Sequence, residues 1–527
     1  MNRRFIYFAL KSVCALFIIS AVTLAQAQQM PVKPRQFPPG AINRAEDLPP
    51  GRLRTHIEKL APGAKSRAVE HLRNFHFTEL DLPSLEVDAS GGVYYADEFP
   101  PAAESAGSDA IVSAASVPVS PFPASSIFHS KPGAANVIYL NFSGEIVTGT
   151  EWNTSLGRTE IPAVAFSTDA DFTTFSDAEQ TAIKRIWQRV AEDFAPFSVD
   201  VTTERPANFG TRTAQVLITR NTDATGSVNP SFTSGGVAYV DVFGSSGFAS
   251  VRPAWIYFNN LSSVESFIAE AASHEIGHNL GLSHDGKTDG NSYYGGHGTG
   301  DTSWAPIMGT GYNRNVSQWS KGEYYLANNT QDDLLTISAK IPYRTDDAGD
   351  TMATAKALVL SGTNIISTTL DDDPANANPA NKGILERNTD VDVFSFSTGT
   401  GPVSLTVNPW TIATGTRGGN VDLLLELRDS SGAVIITNNP ASTTSAQIQT
   451  TLAQGTYYLF IRSVGVGDPF SATPEGYTSY GCAGEYFISG SVSSSNASAV
   501  PVQINVTAND PRFGSVSPAS GIYPIGS

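Results

Sequence analysis

The chain has 527 residues, too many for one ordinary hydrophobic core, so several domains are expected. Its 50 acidic residues against 33 basic ones give a formal charge of −17, which argues against nucleic-acid binding and is read as solubility. A hydrophobic content of 40% is that of a globular protein and not of a disordered one.

Arg3 and Arg4 precede an apolar run over 5–24, and Ala25-Gln26-Ala27 follows as a small-residue cleavage site. Residues 1–27 therefore read as a secretory signal peptide, with a transmembrane anchor as the alternative. No stop-transfer charges follow the run, and no later segment is long and apolar enough to span a bilayer. Secretion to the extracellular space or cell surface is expected. Cys14 leaves with this segment, so Cys482 stands alone; no internal disulfide is available and Cys482 is expected to be buried.

Residues 28–126 form a leader with Pro/Gly-rich stretches, a helical segment near 53–74 and a turn at Gly91-Gly92. It resembles a propeptide, an N-terminal accessory domain being the alternative. Its last part, 101–126, is rich in Ala, Ser and Pro and reads as a linker open to processing.

Residues 127–342 have the texture of an α+β domain. A strand is predicted at 137–142, then a helix starting near Ser176, with Ile183, Ile186, Trp187, Val190, Ala191 and Phe194 forming one buried stripe. Strands follow at 198–203, 214–219, 236–243 and 255–258. A second helix is predicted from the capping-box spacing of Ser262 and Glu265 onward.

That helix carries His274-Glu275-Ile276-Gly277-His278-Asn279-Leu280-Gly281-Leu282-Ser283-His284. Residues four apart lie about 40° apart around a helix and roughly 6 Å along it, so His274 and His278 can grip one ion. A continued helix would aim His284 about 120° away, so the chain must turn between them, and Gly281 supplies the left-handed residue. Three imidazoles with one open position are the ligand set of a catalytic Zn2+ site, and Glu275 is placed to act as general base.

Downstream, Ala305-Pro306-Ile307-Met308-Gly309 resembles the Met-turn beneath the zinc of metzincin metallopeptidases. With both motifs, residues of about 134–340 resemble that clan, and Asp285 directly after the third histidine is similar to its reprolysin (adamalysin) branch. The resemblance implies a twisted sheet backed by two long helices, with 236–243 as the edge strand that pairs with an extended peptide; an interior strand is the alternative. It assigns Met308 to the Met-turn. Thr310 stands where some relatives carry a ligand tyrosine, so Tyr312 is expected in the pocket wall. It also implies latency through a leader group at the open metal position. The leader has no cysteine after residue 27, which leaves a carboxylate such as Asp81 or Asp88, a histidine such as His71 or His76, or steric cover.

Residues 343–495 change to short β runs between Gly, Asn, Asp and Ser turns, as expected for an all-β sandwich. Asp346-Asp347-Ala348-Gly349-Asp350-Thr351, Asp390-Val391-Asp392-Val393-Phe394 and Gly455-Thr456-Tyr457-Tyr458 resemble the bacterial pre-peptidase C-terminal (PPC) domain. Asp390, Asp392 and Asp422 are either calcium ligands or turn-stabilising carboxylates. Residues 496–527 start a further β module or a disordered tail.

The expectation is a multidomain, secreted zinc endopeptidase made as a proenzyme, acting on protein or peptide, monomeric, with a sandwich dispensable for chemistry. A zinc amidase on non-protein substrate and a surface adhesin with a vestigial zinc domain are the alternatives.

Overall fold

The computed structural model describes residues 33–98, 117–169, 171–362, 364–369, 380–411 and 418–494, and the backbone of 502–504 and 521–523. The expected signal peptide, most of the linker and nearly all of the tail lie outside the described residues. The described residues fall in one compact unit. It is a mixed α/β structure with a large β-rich part and, among the described residues, six α-helices.

The leader contributes α1 (Arg52–Lys59), α2 (Pro62–Asn74), β1 (Leu85–Val87) and β2 (Val93–Asp97). The helical segment expected at 53–74 is thus two helices, because Pro62 cannot donate to a continuing helix and starts a new one instead. Gly91, at φ 93°, makes the turn between β1 and β2. Phe37, Ile57, Leu72, Phe75, Phe77, Leu85, Val93 and Tyr95 give the leader its own apolar core, which Val240 of the next region completes.

The following region supplies β3 (Asn136–Asn141), α3 (Asp177–Asp193), β4 (Val199–Thr202), β5 (Thr213–Thr219), β6 (Gly236–Tyr239), β7 (Ala254–Tyr257) and α4 (Glu265–Asn279). Helix α3 begins at a capping box: Ser176 Oγ accepts from Glu179 N (3.3 Å) and Glu179 Oε2 accepts from Ser176 N (2.9 Å). The capping box expected at Ser262 does not form. Ser262 and Ser263 sit at φ 56° and 55°, and Val264 is the N-cap of α4 without a side-chain cap. Every residue from Ala271 to Asn279 is buried, so packing against α3 and the sheet on all sides stabilises this helix in place of a cap.

One seven-stranded sheet runs in the order β1-β2-β6-β7-β5-β3-β4. Pairs β3–β4, β3–β5 and β5–β7 are parallel, whereas β6–β7, β2–β6 and β1–β2 are antiparallel. Strand β6 is therefore interior in the intact chain, and the leader makes it so. It is also shorter than the expected 236–243. The N–H groups of Asp241, Val242 and Phe243 donate to the last carbonyls of α4, His278 O (2.8 Å) and Asn279 O (3.0 and 2.9 Å), and so leave the ladder.

The C-terminal region is two facing sheets. Val391–Thr398, Gly455–Ser463 and Leu423–Arg428 form the centre of one; Gly484–Ser491, Gly401–Pro409 and Ala446–Leu452 form the centre of the other. Alternate residues of both, among them Leu405, Leu423, Leu425, Ile448, Leu459 and Ile488, close a separate core. Asp390 groups with Asp346 and Asp350, while Asp392 accepts from Tyr486 Oη and Asp422 from Tyr477 Oη, the latter at 3.0 Å.

The sandwich docks on α3 through buried polar contacts. Glu192 accepts from Asn420 N (3.0 Å) and Glu485 N (3.2 Å), and Asp193 accepts from Asn420 Nδ2 (2.8 Å) and Ser273 Oγ (2.6 Å). Gln318 Nε2 donates to Asn420 O (2.5 Å) and to buried Cys482 Sγ (3.3 Å), within a cluster that joins Trp304, Tyr324 and Tyr477. A chain ending at Pro342 would leave Gln318 Nε2 without Asn420 O and Cys482 Sγ and would strip Tyr477 and Cys482 from this cluster. Such a chain is expected to be poorly folded by circular dichroism and thermal melting, against the dispensability expected from sequence.

Burial and then the nearby Glu270 charge push Asp193 up to about 8, and burial with Glu485 raises Glu192 as well. A carboxyl raised on folding binds its proton in the native state only. Its contribution is full below its unfolded pKa and is lost as pH rises toward about 8. The melting temperature is expected to be lower at about pH 8.5 than at about pH 5.5, with Asp193→Asn flattening that slope. Equal slopes in wild type and variant would remove Asp193 from the account.

Candidate metal centre

Helix α4 ends in a Schellman turn: Leu282 N donates to Gly277 O (2.9 Å) and Gly281 N to His278 O (2.9 Å), with Gly281 at φ 99°. The reversal returns His284 to the face that carries His274 and His278. Ring centroids lie 4.8 Å apart for His274–His278, 5.3 Å for His274–His284 and 4.9 Å for His278–His284. All three predicted histidines and Glu275 are buried at 1% exposure or less.

Each imidazole is held from behind. His274 Nδ1 lies 2.9 Å from Ile307 O and His278 Nδ1 2.8 Å from Leu282 O, contacts that place N–H on Nδ1 and make Nε2 the lone-pair nitrogen. His284 Nδ1 lies 2.9 Å from Asp81 Oδ1. Met308 is fully buried where a Cβ on Gly277 would meet its sulfur at 2.5 Å, so the pair Gly277 and Met308 forms a tight floor under the helix. Tyr312 stacks on Phe267 with centroids 4.7 Å apart and belongs to the core.

The centre of the cluster holds a residue that the sequence reading did not name. Asp97, the last residue of β2, places Oδ2 at 3.0 Å from His278 Nε2 and 3.4 Å from His274 Nε2, and Oδ1 at 3.0 Å from His284 Nε2. Tyr293 Oη donates to Asp97 Oδ1 at 2.9 Å, and its ring packs on His284 at 4.4 Å. Of the four leader groups named from sequence, Asp81 backs His284 and Asp88 accepts from Tyr239 Oη (2.7 Å). His71 contacts Val240 O (2.7 Å), and His76 contacts Gln36 Oε1 (2.9 Å). The only sequence signal for Asp97 is its place at the end of an alternating Val93-Tyr94-Tyr95-Ala96-Asp97 run, which by itself is an ordinary strand end.

Burial drives His278 down to about 4, while Asp97 opposes that shift. Burial likewise disfavours charge on His284, yet Asp97 and Asp81 raise it to about 9. Against burial, His284 and His278 hold Asp97 well below the ordinary carboxylate range. Burial, then the Asp97 charge, pushes Glu275 well above its ordinary value. A Cβ on Gly236, the residue paired with Asp97 across β2–β6, would run into Glu275 Oε1, so the strand passes directly over that carboxyl group.

These donors fit a metal. Lone-pair nitrogens facing a carboxylate at hydrogen-bond distance repel unless a proton or a cation lies among them. A tetrahedral ion with bonds of ~2.0 Å has ligand–ligand edges of roughly 3.3 Å, close to the 3.0–3.4 Å between Asp97 and the imidazoles. His274, His278, His284 and Asp97 thus form a His3Asp cluster that could hold one ion.

Residues 163–285 match the model of the metallo-peptidase family M12B, reprolysin-like, which bears out the resemblance read from the motif over that stretch. Part of the chain is similar to the pre-peptidase C-terminal domain of a collagenase from Bacillus anthracis, at 14% identity and TM-score 0.15, covering 28% of this chain and 97% of that one. Two other solved structures show comparable likeness. The lysozyme inhibitor PliG of Aeromonas hydrophila is 13% identical at TM-score 0.15 (25% and 93% covered), and OgpA of Akkermansia muciniphila is 8% identical at 0.16 (68% and 94%). No curated protein matches the chain.

Gly281→Ala is expected to destabilise the protein by about 1–2 kcal/mol, since its φ of 99° is unfavourable for a side chain and the new Cβ would lie 2.9 Å from Asp241 Oδ1. Metal titration should show weaker binding as His284 is displaced. Wild-type affinity in a destabilised variant would uncouple the turn from the site.

Proposed function

We propose that this chain is a secreted, metzincin-like zinc endopeptidase that hydrolyses peptide bonds with Glu275 as general base. The observation that carries the reading is the convergence of His274, His278 and His284 around one buried point beside Glu275, within a stretch that matches reprolysin-like metallopeptidases. Nitrogen donors of this number suit zinc, and His274, His278 and His284 would hold it. When bound, zinc supplies Lewis acidity for activating water and polarising the scissile carbonyl.

The protein's own residues supply position and proton transfer. Glu275 takes a proton from the attacking water as the new C–O bond forms, and delivers one to the leaving nitrogen as the C–N bond breaks. With the leader strand β2 out of the sheet, strand β6 would be the edge on which an extended peptide is aligned by main-chain hydrogen bonds, a role supported by its antiparallel pairing with β2. That seat favours a peptide over a non-protein amide. Secretion is supported by the charged, apolar and small-residue pattern of 1–27. No helix among the described residues is long and apolar enough to cross a membrane.

Glu275→Gln is expected to keep stoichiometric zinc while kcat falls by about 10²–10⁴-fold. Comparable turnover at equal metal content would remove Glu275 from the role. His278→Ala is expected to lose zinc in metal analysis, because the remaining imidazoles hold it poorly. A casein zymogram of leader-free protein with and without chelator separates the peptidase from an adhesin with a vestigial site, for which no chelator-sensitive clearing would appear.

A further inference from the structure

Resting on the peptidase reading, we propose that Trp152 and Tyr239 form a subsite for an aromatic side chain of the substrate, so that the site selects extended peptides carrying Phe, Tyr or Trp a few residues to the amino side of the bond that is cut.

The strand that lies on β6 marks where such a side chain goes. Strand β2 pairs antiparallel with β6 in the register Tyr94–Tyr239, Tyr95–Ala238, Ala96–Val237 and Asp97–Gly236. Side chains alternate along a strand, and Tyr95 and Asp97 face the imidazoles, Tyr95 stacking on His278 with centroids 4.0 Å apart. Tyr94 is therefore turned to the other face. There its ring meets Trp152 edge-on at 5.1 Å and 75° and Tyr239 at 5.4 Å and 54°, and these two rings lie 4.4 Å from each other. Such edge-on and tilted arrangements are the favoured ones for aromatic pairs. The Tyr94 ring stands in for a side chain of a peptide aligned on β6 in the same register.

The two rings that receive it are braced by contacts that do not involve β2. Trp152 Nε1 donates to Pro253 O (2.9 Å), and the short helix Glu151–Leu156 that carries Trp152 starts at a capping box, Thr150 N donating to Asn153 Oδ1 (3.0 Å) and Asn153 N to Thr150 Oγ1 (3.4 Å). Tyr239 is an interior strand residue whose carbonyl accepts from Asn279 Nδ2 of α4 (2.8 Å). With β2 in place Trp152 is 1% exposed and Tyr239 fully buried. Moving β2 off the sheet uncovers this apolar surface directly beside the edge on which the peptide is aligned.

The register also sets the distance. Three residues of strand separate Tyr94 from Asp97, roughly 10 Å, so the pocket reads the substrate's sequence without touching the reacting atoms. Trp152 and Tyr239 are thus specificity-determining residues. Gly236, paired with Asp97, passes over Glu275, which puts the selected residue third or fourth on the amino side of the cleaved bond.

The test uses the full chain with a specific protease site inserted between Gly107 and Ser108 and cut before assay, so that peptides can compete with the leader for β6. The zinc-loaded cut chain is incubated with a library of short random peptides, and the products are sequenced. Expected is enrichment of Phe, Tyr and Trp at the third or the fourth residue before the cleaved bond and not at both, because neighbouring residues face opposite sides. Single peptides with an aromatic residue or Ala at that place should differ about tenfold or more in kcat/KM. Trp152→Phe should keep the preference and Trp152→Leu should lose most of it, melting curves showing that each is folded.

A second measurement does not depend on turnover. The cut Glu275→Gln chain, its leader labelled with a fluorophore, is titrated with the peptide Gly91–Glu98 carrying Tyr95→Val and Asp97→Gly, and with the same peptide carrying Tyr94→Ala as well. The peptide that keeps the ring should release the leader at a concentration about tenfold lower or less. Absence of aromatic enrichment at either position, or release of the leader equally by both peptides or by neither, would overturn the subsite. Ring-selective release without cleavage of any library peptide would leave the subsite standing and overturn the peptidase reading, whereas cleavage without aromatic selection would do the reverse.

Discussion

Everything at the centre of this molecule depends on one electrostatic constraint. Imidazole lone pairs and a carboxylate have been brought to within 3.4 Å in a pocket that admits no solvent, and such a set is stable only around a positive charge. The surrounding structure is arranged to hold those donors in place before a cation arrives. Ile307 O and Leu282 O fix the tautomers of His274 and His278, Asp81 holds His284, and the Gly281 turn sets the angle at which the third ligand returns.

Such preorganisation requires a rigid scaffold, which explains why α4 is buried along its whole second half. A helix with polar ligands on one side and packing on every other cannot tilt to follow a weaker ligand set. Its C-terminal carbonyls are taken by the N–H groups of Asp241, Val242 and Phe243, so the segment after β6 and the metal helix are one mechanical piece. Strand β6 consequently sits at a set height over Glu275, with Gly236 as the residue that leaves room for the carboxylate.

The leader and the sandwich use opposite strategies to join this scaffold. The leader joins by extending a sheet and placing the Asp97 carboxylate among the three imidazoles. The sandwich joins by burying Glu192 and Asp193 against Asn420 and Glu485, an attachment that varies with proton concentration.

By itself the sequence determined the three histidines with Glu275 beside them, the need for a glycine turn before His284 and the β texture of the C-terminal half. Each is a local property: ligand spacing on a helix of known pitch, a left-handed residue, alternation along a strand. Helix α3 was equally legible because Ile183, Ile186, Trp187, Val190, Ala191 and Phe194 recur at helical spacing. Tertiary structure alone decided the rest. The start of α4 ignores the Ser262 signal because packing outweighs a cap worth about 1 kcal/mol. Strand β6 is interior because a segment some 140 positions earlier pairs with it, and Asp97 joins the imidazoles because that pairing carries its carboxylate to them. Side chains far apart in sequence meet only through the register of a sheet, and no local pattern encodes that register.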